Sequence, residues 1–181
     1  MKAFNEKAEP INEGEVIFTK IAPDDWMRVR DLRVQSLRDN PKAFGQTPEE
    51  AMQTGEDEWR RRLENGEYLF ATQNGELVGM VSRIFGKNQK ERHIAHIYSV
   101  YVVPEMRGRG IGRKLMEKVI SEIMNGHPEV IKLEVSVSVS QPEALALYES
   151  LGFERVALDK KEMKVGDEYI DEWYLVKFIR T

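Results

Sequence analysis

The sequence predicts a single α/β (α+β) domain in which helices flank a central, twisted sheet that is mixed but mostly antiparallel. Two observations predict this class. β-Branched and aromatic runs alternate along the chain with amphipathic helical patterns, and Asn74-Gly75 stands between two apolar runs as the turn of a hairpin. The 181 residues fit one domain better than two, and the predicted element order is β-α-α-β-β-β-α-β-α-β-β.

The first half of the chain begins with a strand over GEVIFTKIA, which Pro23 ends. Two adjacent aspartates then favour a helix that runs towards Asn40, because carboxylates suit the positive end of the helix dipole. A second, polar helical stretch is expected over about residues 47–66, with Gly55 inside it. The apolar runs on either side of Asn74-Gly75 form the next two strands.

The second half opens with HIAHIYSVYVV, which is rich in β-branched and aromatic residues and stops at Pro104. It predicts a strand that is buried over most of its length. A short Gly-rich turn leads into a helix whose apolar residues recur every four positions until Asn125-Gly126 ends it. A strand over VIKLEVSVSV and a helix ended by Gly152 follow. Two strands, FERVAL and YIDEWYLVKFI, close the chain.

Composition excludes several classes of function. The chain has 27 Lys and Arg against 31 Asp and Glu, and this net charge of −4 disfavours a nucleic-acid coat protein. It contains no cysteine, which excludes disulfides, cysteine zinc sites and thiol nucleophiles, and we expect no metal. No apolar run predicts a membrane span or a secretory signal. We expect a cytoplasmic protein without membrane or nucleic-acid partners, in which residues 1–14 form a flexible leader and 15–181 the domain.

The most informative stretch is the turn between the buried strand and the next helix. Gly108, Gly110 and Gly112 remove the Cβ atoms that keep a ligand away from backbone N–H groups. Those groups and the donors of the helix's first turn predict a phosphate or pyrophosphate site. Three arginines add forked positive donors there: Arg107, Arg109 and Arg113. The G-x-G-x-G spacing is neither the G-x-G-x-x-G of dinucleotide sites nor a P-loop.

Two motifs make the sequence resemble a known family. Arg107-x-x-Gly110-x-Gly112 resembles the acetyl-CoA-binding signature of the GNAT family of N-acetyltransferases, and Val102-Val103-Pro104 fits the strand end before it. Ala144-x-x-Leu147-Tyr148-x-x-x-Gly152-Phe153 resembles the family's second conserved block. The resemblance covers roughly residues 15 to 180, and the predicted strand order agrees with the family fold.

The resemblance implies acetyl-CoA as co-substrate and assigns residues to it. In the family, backbone groups at the strand end pair with the pantetheine arm, a role that falls here to Tyr101, Val102 and Val103. Gln141 stands where the family usually has an asparagine, so this contact departs from the family pattern. The pyrophosphate is expected over the turn, with Arg113 at the helix start, and the turn residues are Arg107, Gly108, Arg109, Gly110, Ile111 and Gly112.

The resemblance also implies an acid and a base. Tyr148 matches the family tyrosine that protonates the departing CoA thiolate, although a tyrosine packed on a helix face is the alternative interpretation. Several family members place a glutamate at the position of His96, and a neutral histidine can do the same work. A strand histidine that bonds a neighbouring carbonyl is the equally weighted alternative. Glu134, on the next strand, is the fallback base.

Segments that border the acceptor groove in the family carry acidic and aromatic residues here. The acids favour a cationic acceptor. The aromatic residues either line the groove or belong to the core. These residues are Trp59, Tyr98, Tyr169 and Trp173, with Asp57, Glu58, Asp171 and Glu172 nearby. The stretch Asn40–Gly45 and the closing Gly-Asp-Glu-Tyr-Ile-Asp-Glu look like a bacterial branch of the family whose acceptors are mostly unassigned.

The function that the resemblance implies is transfer of an acetyl group from acetyl-CoA to a primary amine. Direct attack in a ternary complex is expected, since no cysteine is present to carry an acetyl intermediate. A small amine is the favoured acceptor, and a protein N-terminus or lysine is the alternative. Two other classes stay open, namely a non-catalytic acyl-CoA-binding sensor and a nucleic-acid binder that uses Arg107 and Arg109 as a basic patch. A homodimer is also open.

Overall fold

The fold is a seven-stranded sheet flanked by helices, which confirms the predicted fold class. The computed structural model describes residues 14–180, so residues 1–13 of the predicted leader and residue 181 lie outside the described part. The elements are β1 (Ile17–Thr19), α1 (Trp26–Asp39), α2 (Pro48–Gln53), α3 (Glu56–Glu64), β2 (Tyr68–Gln73), β3 (Glu76–Phe85), β4 (Ile94–Val102), α4 (Ile111–Gly126), β5 (Lys132–Ser138), α5 (Pro142–Ser150), β6 (Glu154–Val165) and β7 (Glu168–Phe178).

The order of strands across the sheet is β1-β2-β3-β4-β5-β7-β6. Only β4 and β5 run parallel, and every other neighbouring pair in the described sheet is antiparallel. The crossover between β4 and β5 is α4, whose apolar side packs against β2, β3 and β4. The predicted order of strands along the chain is therefore the observed one.

The predicted second helix is divided into two short helices, α2 and α3. Thr47 begins α2 with a capping box, in which its hydroxyl accepts from the Glu50 N–H at 3.2 Å and its own N–H donates to the Glu50 carboxylate at 2.8 Å. Gly55 is extended, with φ −66° and ψ 158°, and serves as the N-cap of α3. Thr54, before it, is extended too, with φ −62° and ψ 119°. Extended residues cannot continue the ladder of helical hydrogen bonds, so the helix is interrupted at these two residues.

A bulge in β4 makes this strand turn away from β5. Tyr98 and Tyr101 pair with Ser82 and Met80, which are two residues apart on β3, so β4 has one residue too many between them. Ser99, inside the bulge, has φ +56°. β4 pairs with β5 only over Ile94–Ile97, and beyond this point the two strands diverge. The divergence opens the sheet at the end where the glycine turn follows β4.

The two faces of the sheet carry different helices. The Tyr101 hydroxyl donates to the Asp39 carboxylate at the end of α1. The neighbouring Val102 side chain points the other way, and one of its methyl carbons lies 3.8 Å from the point where a Cβ of Gly112 would stand at the start of α4. We call the two sides the α1 face and the α4 face.

Within residues 14–180, no helix is long and apolar enough to cross a membrane.

Candidate functional site

A cavity of about 1040 Å³ lies where β4 and β5 diverge. Its walls are the bulged half of β4, the middle of β5, the glycine turn and the inner side of α5. On the α1 face it is bounded by Arg33 and by residues of the segment that follows α1, which we call the roof segment (residues 40–45). Lys42 of the roof segment pairs with Glu168 at 2.5 Å, which ties this segment to the start of β7.

The edge of β4 that faces the cavity has no strand partner beyond Ile97. Tyr101 and Val102 pair with β3 on their other side and line the cavity, so this edge is open to an extended ligand. The Val102 carbonyl accepts from Arg107 Nε at 3.0 Å, and the Arg107 guanidinium also lies over the Tyr101 ring. Val103 does not line the cavity, because it is buried and its N–H donates to the Val78 carbonyl at 3.0 Å.

The glycine turn borders one mouth of the cavity. Gly108 and Gly110 have φ of +74° and +75°, and no atom of the described chain outside the turn lies within 4 Å of where their Cβ atoms would stand. Gly110 is the N-cap of α4 and has no side chain to cap the helix, so the first N–H groups of α4 face this space. The backbone conformation and the open space suit an anion bound by main-chain donors.

Charged and polar side chains border the same mouth. Arg113 lines the cavity, donates to the Ser150 hydroxyl at 2.6 Å and lies 3.6 Å from Glu117. Gln141 lines it too, at the N-cap of α5, and donates to the Ser140 hydroxyl at 3.3 Å. Arg109 belongs to the turn but does not line the cavity. Ile111 is among the residues that line the cavity, and it is buried.

Tyr148 lies on α5 at the inner wall of the cavity. Its side chain is only 4% exposed and packs against Phe153. Burial raises the pKa of the Tyr148 phenol above its ordinary value. The phenol is therefore protonated at neutral pH and able to donate into the cavity.

His96 and Glu134 form a pair beside the cavity and not in its lining. His96 Nδ1 lies 3.0 Å from a Glu134 carboxylate oxygen, and Lys132 Nζ lies 2.5 Å from the other oxygen. Burial acts to raise the pKa of Glu134, but hydrogen bonds from Lys132 and Tyr174, together with His96, outweigh it and hold this pKa below its ordinary value. The ring of Tyr98 stacks on His96, and Tyr98 itself lines the cavity.

Three acidic residues on β6 and β7, which we call the acidic wall, border the far end of the cavity: Asp159, Glu162 and Glu172. Glu162 and Glu172 line the main cavity, and all three line an adjoining cavity of about 250 Å³. Burial and the charges of the other two acids raise the pKa of Glu172. Sequence reasoning named Glu172 only as a groove residue, and it missed Asp159 and Glu162 because strand acids on a charged hairpin carry no motif.

The other aromatic candidates lie away from the cavity. Trp59 is fully buried in the core, Tyr169 is exposed, and Trp173 packs under the guanidinium of Arg155.

Sequence reasoning also missed Arg33. The feature that could have indicated it is a charged residue on the apolar stripe of α1, between Val29 and Leu37. Among residues 14–180 there is no group of three or more metal-ligating side chains arranged to hold an ion.

Comparisons with known proteins agree on one family. The family model described as an acetyltransferase (GNAT) domain matches residues 31–166. The chain is 23% identical over 167 residues to the L-amino acid N-acetyltransferase AaaT of Escherichia coli, covering 91% of this chain and 98% of that protein. It is 34% identical over 121 residues to the N-alpha-acetyltransferase RimI of Mycobacterium tuberculosis, covering 62% of this chain and 72% of that one.

Solved structures share the fold. The structure of yncA from Salmonella typhimurium, determined with its cofactor acetyl-CoA, superposes with a TM-score of 0.79 at 17% sequence identity. The match covers 93% of this chain and 96% of that one. At this identity the likeness establishes the arrangement of the elements.

Proposed function

We propose that this chain, which belongs to the GNAT acetyltransferase family and is an N-acetyltransferase, uses acetyl-CoA to acetylate a primary amine by direct attack. The observation that supports this most is the continuous path from the glycine turn along the open edge of β4 to the acidic wall. One end of this path suits a pyrophosphate, its middle suits an extended amide arm, and its far end suits a cation.

The glycine turn would hold the pyrophosphate of the co-substrate. The φ values of Gly108 and Gly110 and the open space beside them let phosphate oxygens reach the N–H groups at the start of α4. Arg113 adds a positive charge at the same mouth. Arg107 already holds the Val102 carbonyl, so its proposed contribution is to fix the end of β4 as well as to add charge.

The pantetheine arm would lie along β4 as an added strand. Its amide groups find the unpaired edge at Tyr101 and Val102. The Val102 carbonyl has two lone pairs, so it accepts an amide N–H while it keeps the bond from Arg107. Gln141 and Ala144 of α5 line the opposite side of the path.

Tyr148 is proposed as the general acid that protonates the departing CoA thiolate. Burial that raises the pKa of the Tyr148 phenol keeps its proton in place until the thiolate forms. The same low-dielectric surroundings disfavour the thiolate charge, so the proton moves towards sulfur when the carbon–sulfur bond breaks. The amine nitrogen forms the new bond to the acetyl carbon as this bond breaks.

The His96–Glu134 pair is proposed to take the amine proton through water. Deprotonating a lysine-like amine at neutral pH costs roughly 4–5 kcal/mol, so a proton acceptor is useful. An Nδ1–H of His96 that donates to Glu134 leaves Nε2 as the acceptor. The alternative, in which Glu134 is itself the base, is disfavoured because its bonds to Lys132 and Tyr174 hold its pKa below its ordinary value.

The proposed acceptor is a small cationic amine. The carboxylates of the acidic wall attract a protonated amine to the end of the path. The relative that matches over nearly its full length is named for L-amino acids, which favours a small acceptor. The alternative acceptor is a protein N-terminus, and it is favoured by the relative named as an N-alpha-acetyltransferase.

Calorimetric titration with acetyl-CoA tests the first step. We expect saturable binding that Arg113→Ala weakens at least about tenfold, since it removes a charge-assisted contact to phosphate. Arg38→Ala, an exposed arginine on α1, is the matched control and should bind like the parent protein. A panel of amines, followed by thiol release, then tests transfer. Absence of acetyl-CoA binding contradicts the proposal, and binding without transfer to any amine leaves the sensor class.

A further inference from the structure

Arg33 carries a buried guanidinium that lacks an acidic partner among residues 14–180. The residue is 8% exposed and lines the cavity from α1. Its Nε donates to the Gln46 side-chain oxygen at 3.3 Å, and its plane lies over the Phe44 ring at 4.7 Å. Its Nη1 is buried and has no hydrogen-bond partner among residues 14–180. No carboxylate in the described part of the chain pairs with it.

This arrangement is energetically unfavourable without a ligand. A buried charge that lacks a partner costs several kcal/mol, and arginine does not escape the cost by losing its proton. Arg62 lies close enough to Arg33 to add positive charge at the same place. The contrast with Arg83 is informative, because that equally buried arginine has its carboxylate, Glu122, at 2.6 Å. An anion bound beside Arg33 would therefore stabilise this buried guanidinium.

The position of Arg33 separates it from the expected pyrophosphate. Arg33 lies on α1, on the opposite face of the sheet from the glycine turn and the start of α4. Tyr98 and Tyr101 share this α1 face because of the bulge, and Tyr98 stacks on His96, which pairs with Glu134. The β7 residues that follow the same alternation include Glu172. Arg33 and the acidic wall thus border the acceptor half of one cavity.

We propose that Arg33 binds a carboxylate of the acceptor, so that the acceptor carries both a primary amine and a carboxylate. The acidic wall takes the ammonium end, and the forked donors of Arg33 take the carboxylate end. Phe44 and Gln46 hold the guanidinium plane in position. This inference rests on the proposed function, because it names the class of amine that the same site acetylates.

The test compares L-amino acids with their primary amides at saturating acetyl-CoA, read by thiol release. We expect at least one amino acid to have a kcat/KM about tenfold above that of its amide, although the less basic amine of the amide favours the amide. Arg33→Gln should lower kcat/KM for that amino acid about 10- to 100-fold, mainly through KM, and leave the amide within about threefold. Arg33→Lys should restore part of the preference, since it keeps the charge without the fork.

Arg38→Gln is the matched control, because it removes the same charge from an exposed position of the same helix. It should leave both acceptors unchanged. An Arg33→Gln variant that loses acid and amide equally overturns the inference, since that is the result of a structural role under Phe44. If Arg33→Gln does not fold, Arg33→Lys and the parent protein's ratio of acid to amide decide the matter.

The outcomes also separate this inference from the proposed function. Acetylation of the amides without any preference for the acids overturns the inference alone, and so does acetylation of peptide N-termini alone. Acetyl-CoA binding without acetylation of amino acids, amides or peptide N-termini overturns the transfer function and this inference together. Preference for an acid that vanishes in Arg33→Gln supports both.

Discussion

Tyr148 lines the cavity from α5, and burial raises the pKa of its phenol, which keeps it protonated. We expect Tyr148→Phe to lower kcat at least about 100-fold, because it removes the proposed proton donor, while the Kd for acetyl-CoA changes less than about twofold. Steady-state kinetics and calorimetry on the same preparation measure both. Tyr169→Phe, at an exposed tyrosine outside the cavity, is the control. An unchanged kcat in Tyr148→Phe contradicts the acid role.

Glu134 makes stability depend on pH. Its folded pKa lies below the ordinary 4.5, so its ionised form stabilises the fold above pH 4.5, and this contribution is lost as the pH falls through the folded pKa. We expect Glu134→Gln to lower the free energy of unfolding by about 1–3 kcal/mol at pH 7, with a difference that shrinks below pH 4.5. Urea unfolding across pH checks this. Glu64→Gln, at an exposed site, should change little.

Single residues differ in how far the sequence predicts their environment. The glycine turn and Tyr148 belong to short motifs in which each residue's role is local, so their positions on a turn and a helix were predictable. Arg33 and Glu162 reach the cavity only because α1 and the β6–β7 hairpin pack around it. No spacing in the sequence brings residues 33 and 162 together. Their contribution depends on tertiary packing and was missed for that reason.

The turn before α4 is predicted to bind through its backbone. Gly110→Ala places a methyl group where φ is +75°, at a cost of about 1–2 kcal/mol, and puts that methyl in the space expected for phosphate. We expect the Kd for acetyl-CoA to rise at least about tenfold. Gly75→Ala has the same strain, with φ +82°, in a hairpin turn away from the cavity. It should lose similar stability in urea unfolding and bind acetyl-CoA normally. Equal Kd values for the two variants contradict the assignment.

Two elements differ from what their sequences predict. The break between α2 and α3 arises because Thr54 and Gly55 both adopt extended conformations, which a helical pattern with one glycine does not reveal. The bulge in β4 arises at Ser99, a residue with no glycine-like preference for φ +56°. The pattern predicts a straight strand there, since the run is rich in β-branched and aromatic residues. The pairing with β3 and the divergence from β5 hold the bulge, and both are long-range contacts.

At the scale of the whole molecule, the sheet has a gap in its ladder of hydrogen bonds where the co-substrate is proposed to bind. Beyond Ile97 and Val135 the sheet has no hydrogen bonds between β4 and β5. An acetyl-CoA molecule that pairs with β4 and contacts α5 would bridge this gap. At a concentration of 100 times its Kd it should stabilise the protein by about 2.7 kcal/mol and raise Tm by about 5–10 °C.

Hydrogen exchange locates this stabilisation. Amides of β4 from Tyr98 to Val102 should exchange more slowly with acetyl-CoA present, while those of the β2–β3 hairpin turn at Asn74-Gly75 should not. A rise in Tm without slower exchange in β4 would mean that the co-substrate binds elsewhere. Uniform slowing across the chain would contradict the bridging role as well.

The short parallel ladder between β4 and β5 also separates the glycine turn from the acidic wall along the sheet. Strands β1 to β4 lie on one side of this seam together with the turn that follows β4, and β5 to β7 lie on the other with the acidic wall. The division concerns the glycine turn and the acidic wall only, because Arg33 of α1 and Tyr148 of α5 reach the cavity from the other side in each case. A protein engineer can exchange the β6–β7 hairpin for one of different charge and leave the backbone of the turn untouched. Such an exchange should change which amines the protein accepts and leave its binding of acetyl-CoA unchanged.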